Sequence, residues 1–300
     1  MKICFIGCVD FSADALRILF ALERAGVCSV VGVITKSSSR FNADFVDLSA
    51  IVEEAGRPAD LVHYYENQEV AAEFVVRSGA DIVYCFGWSS LLGPELLASA
   101  PRGVIGFHPA SLPENRGRHP IIWALALGLE QTASTFFRMD AGADSGPILS
   151  QEPIRIESSD NAQSLYGKIT ETALGQIDVF TKALSKGHAE FREQDESKAT
   201  YWRKRSAADG LIDWRMPASD IHNLVRALFH PYPGAEFHWQ SQTIKLWETR
   251  LTDEGVLPNA EPGKVLDYRD ENVLVKCGGN TAIWLIDFRP SIEMNVGTYL

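Results

Sequence analysis

The chain opens on a short apolar run, KICFIGC, which breaks at Gly7 and gives way to apolar positions at Ala15, Leu16, Ile18, Leu19 and Leu22. The first pattern predicts a buried strand and the second an amphipathic helix. The same exchange repeats through VCSVVGVIT, DLSAIVEEAG, LVHYY, NQEVAAEFVVRSG, DIVYCFG and GVIGFH. Strands that alternate with helices predict an α/β unit, a mostly parallel sheet covered on both faces by helices. Ligands of such sheets lie beyond the carboxyl ends of the strands, which directs attention to the loops after Cys8, Thr35, Cys85 and Phe107.

Further on the pattern predicts a helix at HPIIWALALGL, a β-rich stretch from Thr132 to Ile156, and a long helix from Asn161 started by Asp160 or Asn161. Between Gly187 and Asp209 the sequence turns polar with no sustained period, as in a linker. A helix at SDIHNLVRALF and strand-like runs at AEFHWQSQTIKLWETRL, GKVLDYRDENVLVKCGG and TAIWLIDFRP then predict a small antiparallel barrel. The expected division is 1–187, a linker at 188–208, and 209–300.

At 300 residues and 46% hydrophobic content, the chain is long enough for a sizeable core. A formal net charge of -11 argues against a broad nucleic-acid-binding face, since phosphates are neutralised by clustered Lys and Arg. The apolar N-terminus is interrupted by Asp10, Asp14 and Arg17, unlike a secretory signal, and no run is long enough to span a bilayer. Five scattered cysteines lack metal-ligand spacing and suit buried thiols in a reducing cytoplasm. No metal and no membrane partner are expected.

The chemistry concentrates in GVIGFHPASLPENRGRHPII, Gly103 to Ile122. His108 ends a strand and is stiffened by Pro109, which suits either a cleft-facing acid/base group or the cap of a strand end. His119 precedes a proline at a helix start, a place for support as much as for substrate contact. In RMDAGADSGPIL, Asp140 and Asp144 read by themselves as turn residues. Asp144 gains meaning only if the fold sets it beside His108, because a carboxylate and an imidazole together make a proton-transfer pair.

The segment from Phe107 to Gln151 closely resembles the signature of the folate-dependent formyltransferases, with its histidine, its LP...RG..P loop and its D.G.D.G.IL turn. ICFIGCVDFSADAL and GLIDWRMPASDIHNLVRALFHPYPGAEF resemble the family's first strand and the start of its C-terminal domain. The resemblance implies a Rossmann-like catalytic domain followed by an OB-like barrel. It implies formyl transfer from 10-formyltetrahydrofolate to an amine, with His108 and Asp144 as the acid/base pair. It places the folate near VYCFGWSSLL, with Phe86, Gly87 and Trp88 as floor and Asp140 toward the pterin's amino edge.

Many members carry an asparagine two residues before the histidine, where this chain has Gly106. A side-chain donor for the tetrahedral oxyanion is missing there, which leaves a cationic His108, a backbone N–H or another amide such as Asn115 as its substitute, or else a reduced activity; substitution by another donor is the favoured reading. The tRNA-directed members carry a basic Gly-rich loop after the second strand, where this chain has TKSSSRFNADFVDLSAI, with Lys36 and Arg40 as its cations. RGRHPIIWALALGL and CFGWSSLL look more like the bacterial nucleotide-sugar N-formyltransferases. For such a substrate Arg116, Arg118 and His119 are the expected contacts, the two arginines serving either to meet phosphate or to pin the loop by a salt bridge. The alternatives are a methionyl-tRNA formyltransferase and a non-catalytic module that binds folate or sugar nucleotide. A homodimer through the apolar C-terminal barrel and a cytoplasmic location complete the expectations.

Overall fold

The computed structural model describes residues 1–39, 44–253, 259–292 and 294–300. Arg40 and Phe41, which belong to the loop after the second strand, lie outside the described residues. Contacts divide the chain into two compact units. The first comprises Met1–Gly117, Ala133–Ile154 and Lys168–Tyr201, and the second Arg118–Thr132, Arg155–Gly167 and Trp202–Leu300.

The chain begins with β1 (Lys2–Ile6), α1 (Asp10–Arg24), β2 (Ser29–Thr35), α2 (Ser49–Glu54), β3 (Val62–Tyr64), α3 (Gln68–Ser78), β4 (Ile82–Cys85), α4 (Pro94–Leu97) and β5 (Val104–His108). It continues through β6 (Arg116–Gly117), α5 (Pro120–Ala126), β7 (Gln131–Arg138), β8 (Ile148–Arg155), α6 (Ala162–Ser185) and β9 (Tyr201–Trp202). The seven-stranded sheet runs β3-β2-β1-β4-β5-β7-β8. Its first five strands pair in parallel and β7 runs antiparallel to β5. This is the α/β sheet that the alternating pattern predicts.

Strand side chains alternate between the two faces. One face sets Cys4 and Ile6 of β1, Ile34 of β2, Val83 and Cys85 of β4 and Val104 of β5 against Ala71 and Val75 of α3 and Leu96 of α4. The other carries an aromatic layer in which Phe86 meets Phe5, Tyr84 and Phe136 at centroid distances of 5.7, 5.2 and 5.0 Å. Removing one such ring from this layer costs about 3–5 kcal/mol. The layer therefore ties β1 and the end of β4 to β7.

In the second unit α7 (Ala218–Ala227) packs against an antiparallel sheet of order β10-β11-β14-β13-β12. Its strands are β10 (Ala235–Trp239), β11 (Gln242–Leu251), β12 (Val265–Arg269), β13 (Asn272–Lys276) and β14 (Ala282–Arg289). These are the strands that the hairpin-like pattern predicts. α7 buries Ile221, Leu224 and Val225, spaced as the helical period requires. Asn161 caps the start of α6, its Oδ1 accepting from the Ser164 backbone N–H at 3.0 Å.

All five cysteines are buried thiols outside any disulfide. Burial pushes the Cys4 and Cys277 thiols up to about 12, so neither serves as a ready nucleophile. Among the described residues no helix is long and apolar enough to cross a membrane.

Candidate active site

β5 ends at His108, and Pro109 stops the ladder there. The turn that follows is closed by the Ala110 N–H on the His108 carbonyl at 2.9 Å. Thr135 Oγ1 donates to the Ala110 carbonyl at 2.6 Å, and Gln151 Nε2 to the Leu112 carbonyl at 2.9 Å. The histidine thus sits on a rim anchored to β7 and β8.

His108 Nε2 lies 2.8 Å from the Asn115 carbonyl oxygen. A carbonyl only accepts, so Nε2 carries a hydrogen. Nδ1 then faces Asp144 Oδ2 at 3.5 Å. The same Oδ2 accepts the Gly117 N–H at 2.9 Å. The His108 side chain is 6% exposed and that of Asp144 20%, so the carboxylate is the more accessible half of the pair. The proximity that spacing alone leaves open is present.

Asp144 itself adopts φ 55°, and a Cβ on Gly146 would fall 1.8 Å from the Arg138 carbonyl oxygen. Only glycine fits that position, and the tight turn aims the carboxylate. Asp140, in the same turn, is exposed, and its Oδ1 accepts from the Gly142 N–H at 2.9 Å and Ser145 Oγ at 2.7 Å. That oxygen shapes the turn.

At the end of β4 the expected folate floor divides. The Phe86 ring is fully buried in the aromatic layer, its N–H donates to the Ile6 carbonyl at 2.9 Å, and its carbonyl accepts from Ser12 Oγ at 2.7 Å. Phe86 therefore supports the rim from below and offers no ring face to a ligand. Gly87 (φ 69°) and Trp88 are partly exposed. Trp88 meets Tyr65 edge-on at 5.0 Å and takes the Lys36 ammonium over its ring at 4.4 Å.

Sequence reasoning missed Ser12, whose Oγ accepts the Cys8 and Val9 N–H groups, both at 3.2 Å, while donating to Phe86. It ties the β1 loop to the β4 loop, and Ser12 lies in the first turn of α1 with no motif to mark it.

Gly106 is buried in β5, and a Cβ there would lie 2.7 Å from Met139 Cγ and 2.9 Å from Met139 Sδ. The thioether side chain occupies the space of the absent one. No amide donor arises from this position. Asn115 stands at φ 65°, and its carboxamide Oδ1 accepts from Thr200 Oγ1 at 3.3 Å, which turns Nδ2 away from Thr200.

Arg116 takes the second of the two roles open to it. Its side chain is fully buried in the first unit and all five N–H groups are committed. Nε and Nη2 donate to Gln194 Oε1 at 3.2 and 2.8 Å, and Nη1 to Glu196 Oε2 at 2.9 Å and to the Tyr201 hydroxyl at 2.8 Å. Nη2 also pairs with Glu196 Oε1 at 2.6 Å. The Glu196 carboxylate holds the guanidinium charged, and Arg116 in turn holds the Glu196 carboxyl below its usual value. A substrate phosphate has no donor left on this side chain.

Arg118 and His119 belong to the second unit. Arg118 is exposed, with its backbone N–H on the Trp202 carbonyl at 3.1 Å. His119 caps α5 at φ 57°, and Pro120 follows at the first helical position. Its Nε2 is buried without a hydrogen-bond partner. Burial and then Arg118, Arg205 and Lys204 hold the His119 ring below the ordinary histidine value. Nearby, Trp123 donates from Nε1 to the Arg203 carbonyl at 3.0 Å and lies under the Arg203 and Arg205 guanidinium groups at 5.3 and 4.6 Å. Among the described residues no His, Cys, Asp and Glu group is arranged to hold a metal.

The solved structure of WlaRD, a sugar 3N-formyl transferase in the presence of dTDP and 5-N-formyl-THF, aligns with TM-score 0.72 at 15% identity, over 97% of this chain and 99% of that one. The Helicobacter canadensis N-formyltransferase, in complex with folinic acid and dTDP-3-aminofucose, aligns with TM-score 0.72 at 16% identity, over 95% and 98%. The methionyl-tRNA formyltransferase of Clostridium thermocellum aligns with TM-score 0.62 at 16% identity, over 85% and 95%. At these identities the likeness is one of fold. The formyl transferase family model matches residues 1–177, and the model of the formyl transferase C-terminal domain matches residues 204–299. With both models matched in order along one chain, the protein belongs to the formyl transferase family and is a formyltransferase enzyme.

Proposed function

We propose that this enzyme transfers the formyl group of 10-formyltetrahydrofolate to the amine of a nucleotide-linked amino sugar. The observation that carries the chemistry is the clamp on His108: Nε2 donates to a carbonyl, which leaves Nδ1, facing Asp144, as the nitrogen able to take up and return a proton. The amine nitrogen attacks the formyl carbon and a tetrahedral oxyanion forms. The amine's proton passes to the His108–Asp144 pair, the bond from the formyl carbon to the folate nitrogen breaks, and the pair returns a proton to that nitrogen. Formamide and tetrahydrofolate leave. Asp144, the more exposed partner, is the entry point for the proton.

Gly87, Trp88 and the outer oxygen of Asp140 line the folate, with Phe86 beneath them. The Asn115 carboxamide supplies the oxyanion donor in place of the family's asparagine, its Oδ1 held by Thr200. Arg118 meets the substrate's phosphate, and His119 supports it from the start of α5. Residues 1–187 form the catalytic domain, 188–208 the linker and 209–300 the C-terminal domain.

The sugar acceptor is supported by the relatives' dTDP and dTDP-sugar complexes and by the net charge of -11, which suits a small phosphorylated substrate better than a tRNA. The test is to mix the enzyme with 10-formyltetrahydrofolate and a panel of nucleotide amino sugars, with charged initiator tRNA alongside, and to follow tetrahydrofolate release and product mass. A formylated sugar nucleotide supports the reading. Formylated tRNA alone replaces it with the methionyl-tRNA enzyme, and binding without transfer to any acceptor replaces it with a non-catalytic module.

A further inference from the structure

Gln194 lies in a polar stretch with no hydrophobic period, far along the chain from the histidine loop. Its carboxamide is used to capacity. Oε1 accepts from Arg116 Nε and Nη2 at 3.2 and 2.8 Å, and Nε2 donates to the carbonyls of Asp144 at 2.8 Å and Gly146 at 2.7 Å. The partners fix the orientation, since a guanidinium only donates and a carbonyl only accepts. Arg116 is the chain neighbour of Asn115, whose carbonyl holds His108 Nε2, and of Gly117, whose N–H holds Asp144 Oδ2.

One side chain thus joins the loop that orients the imidazole to the turn that presents the carboxylate. The strap that carries it is itself anchored, because Arg192 exchanges two backbone bonds with Ile148 at 2.8 and 2.9 Å. From this geometry we infer that Gln194 is a positioning residue, one that sets the separation between His108 Nδ1 and Asp144 by tying both of their supports to a single amide. The inference rests on the reading of His108 and Asp144 as the proton-transfer pair. It requires a carboxamide, because no other side chain accepts two hydrogen bonds on one atom and donates two from the next within the same plane.

The test is a double-variant cycle on the full-length enzyme, read by nitrogen NMR of histidine-labelled protein, with the His108 signals identified by their loss in His108→Gln. Asp144→Asn is expected to shift the His108 Nδ1 resonance, and Gln194→Met to shift it in the same direction. In the Asp144→Asn background Gln194→Met should add little. With an acceptor in hand, Gln194→Met should lower kcat about 10- to 100-fold while leaving KM for the folate donor within about twofold, as expected for a misplaced catalytic group. Gln194→Glu keeps the Arg116 contacts but loses both donors to the turn, so it serves if the methionine variant does not fold, and it should give the same NMR shift.

His108 resonances that stay at their wild-type positions in the Gln194 variants would overturn the inference. So would a shift of equal size with and without the Asp144 carboxylate. The NMR cycle needs no substrate. A wild-type enzyme that formylates no acceptor would therefore refute the proposed function and leave this result standing.

Discussion

His108 and His119 come from the same proline-rich run and end in opposite electrostatic surroundings. The first has an acceptor at Nε2 and a carboxylate at Nδ1, so each ring nitrogen has a partner. The second has a buried, unpartnered Nε2 and cationic neighbours in Arg118, Lys204 and Arg205, so a proton on it is opposed. Residue type and local motif are the same; the difference lies in what distant segments bring to each ring. What sets the two rings apart is their partners, not their loop.

The widest expected separation between the two is in turnover. His108→Ala and Asp144→Asn should each lower kcat by about 10²- to 10⁴-fold, with an unchanged circular-dichroism spectrum. His119→Asn, which suits the positive φ, should leave kcat within a few-fold and act on KM for the sugar nucleotide. Equal losses of kcat at 108 and 119 would erase the distinction. The proposed oxyanion donor comes next. Asn115→Gly keeps the backbone carbonyl that holds His108, tolerates φ 65°, and removes only the carboxamide. It should lower kcat by about 10²- to 10³-fold, and a rate near wild type in steady-state assay would transfer that role elsewhere.

Stability offers a sharper view of the support beneath His108. Arg116→Met removes five charge-assisted hydrogen bonds from a buried site. Because Glu196 is exposed and can return to water, the loss should be about 2 kcal/mol, read from urea unfolding. The smallest effect is the pH response of His119. Its folded value lies below the ordinary 6.5, so protons bind preferentially to the unfolded chain. The stability it contributes is complete above that ordinary value and is lost as pH falls below it toward the depressed one. His222, also depressed by burial and then by Arg226, adds to the same slope. Between about pH 7 and about pH 5 the Tm of His119→Asn should therefore fall less than that of the wild type.

The alternation of apolar runs is enough to predict the parallel sheet, because buried strands and amphipathic helices leave a periodic trace. His108 was visible as the end of such a strand. Asp144 took its meaning from the family pattern, since a D-x-G turn looks alike whether or not a histidine waits beside it. Phe86 reads as a ligand-facing residue at a strand end, yet its ring completes the aromatic layer. Arg116 reads equally as a phosphate contact or a loop-pinning salt bridge, and Gln194 leaves no trace at all, because a polar network that joins separate segments has no period in sequence.

The contact between Gly106 and Met139 has a consequence for how this protein can change. An asparagine side chain at position 106 would start 2.7 Å from Met139 Cγ, so Gly106→Asn alone should lose about 1–3 kcal/mol by overpacking. Shortening Met139 by itself opens a void beside a glycine. The two positions are therefore epistatic: Gly106→Asn combined with a small residue at 139 is reachable only through an intermediate that is worse than either end. A chain that has taken this path is held on it, because glycine at 106 and methionine at 139 can be exchanged only together.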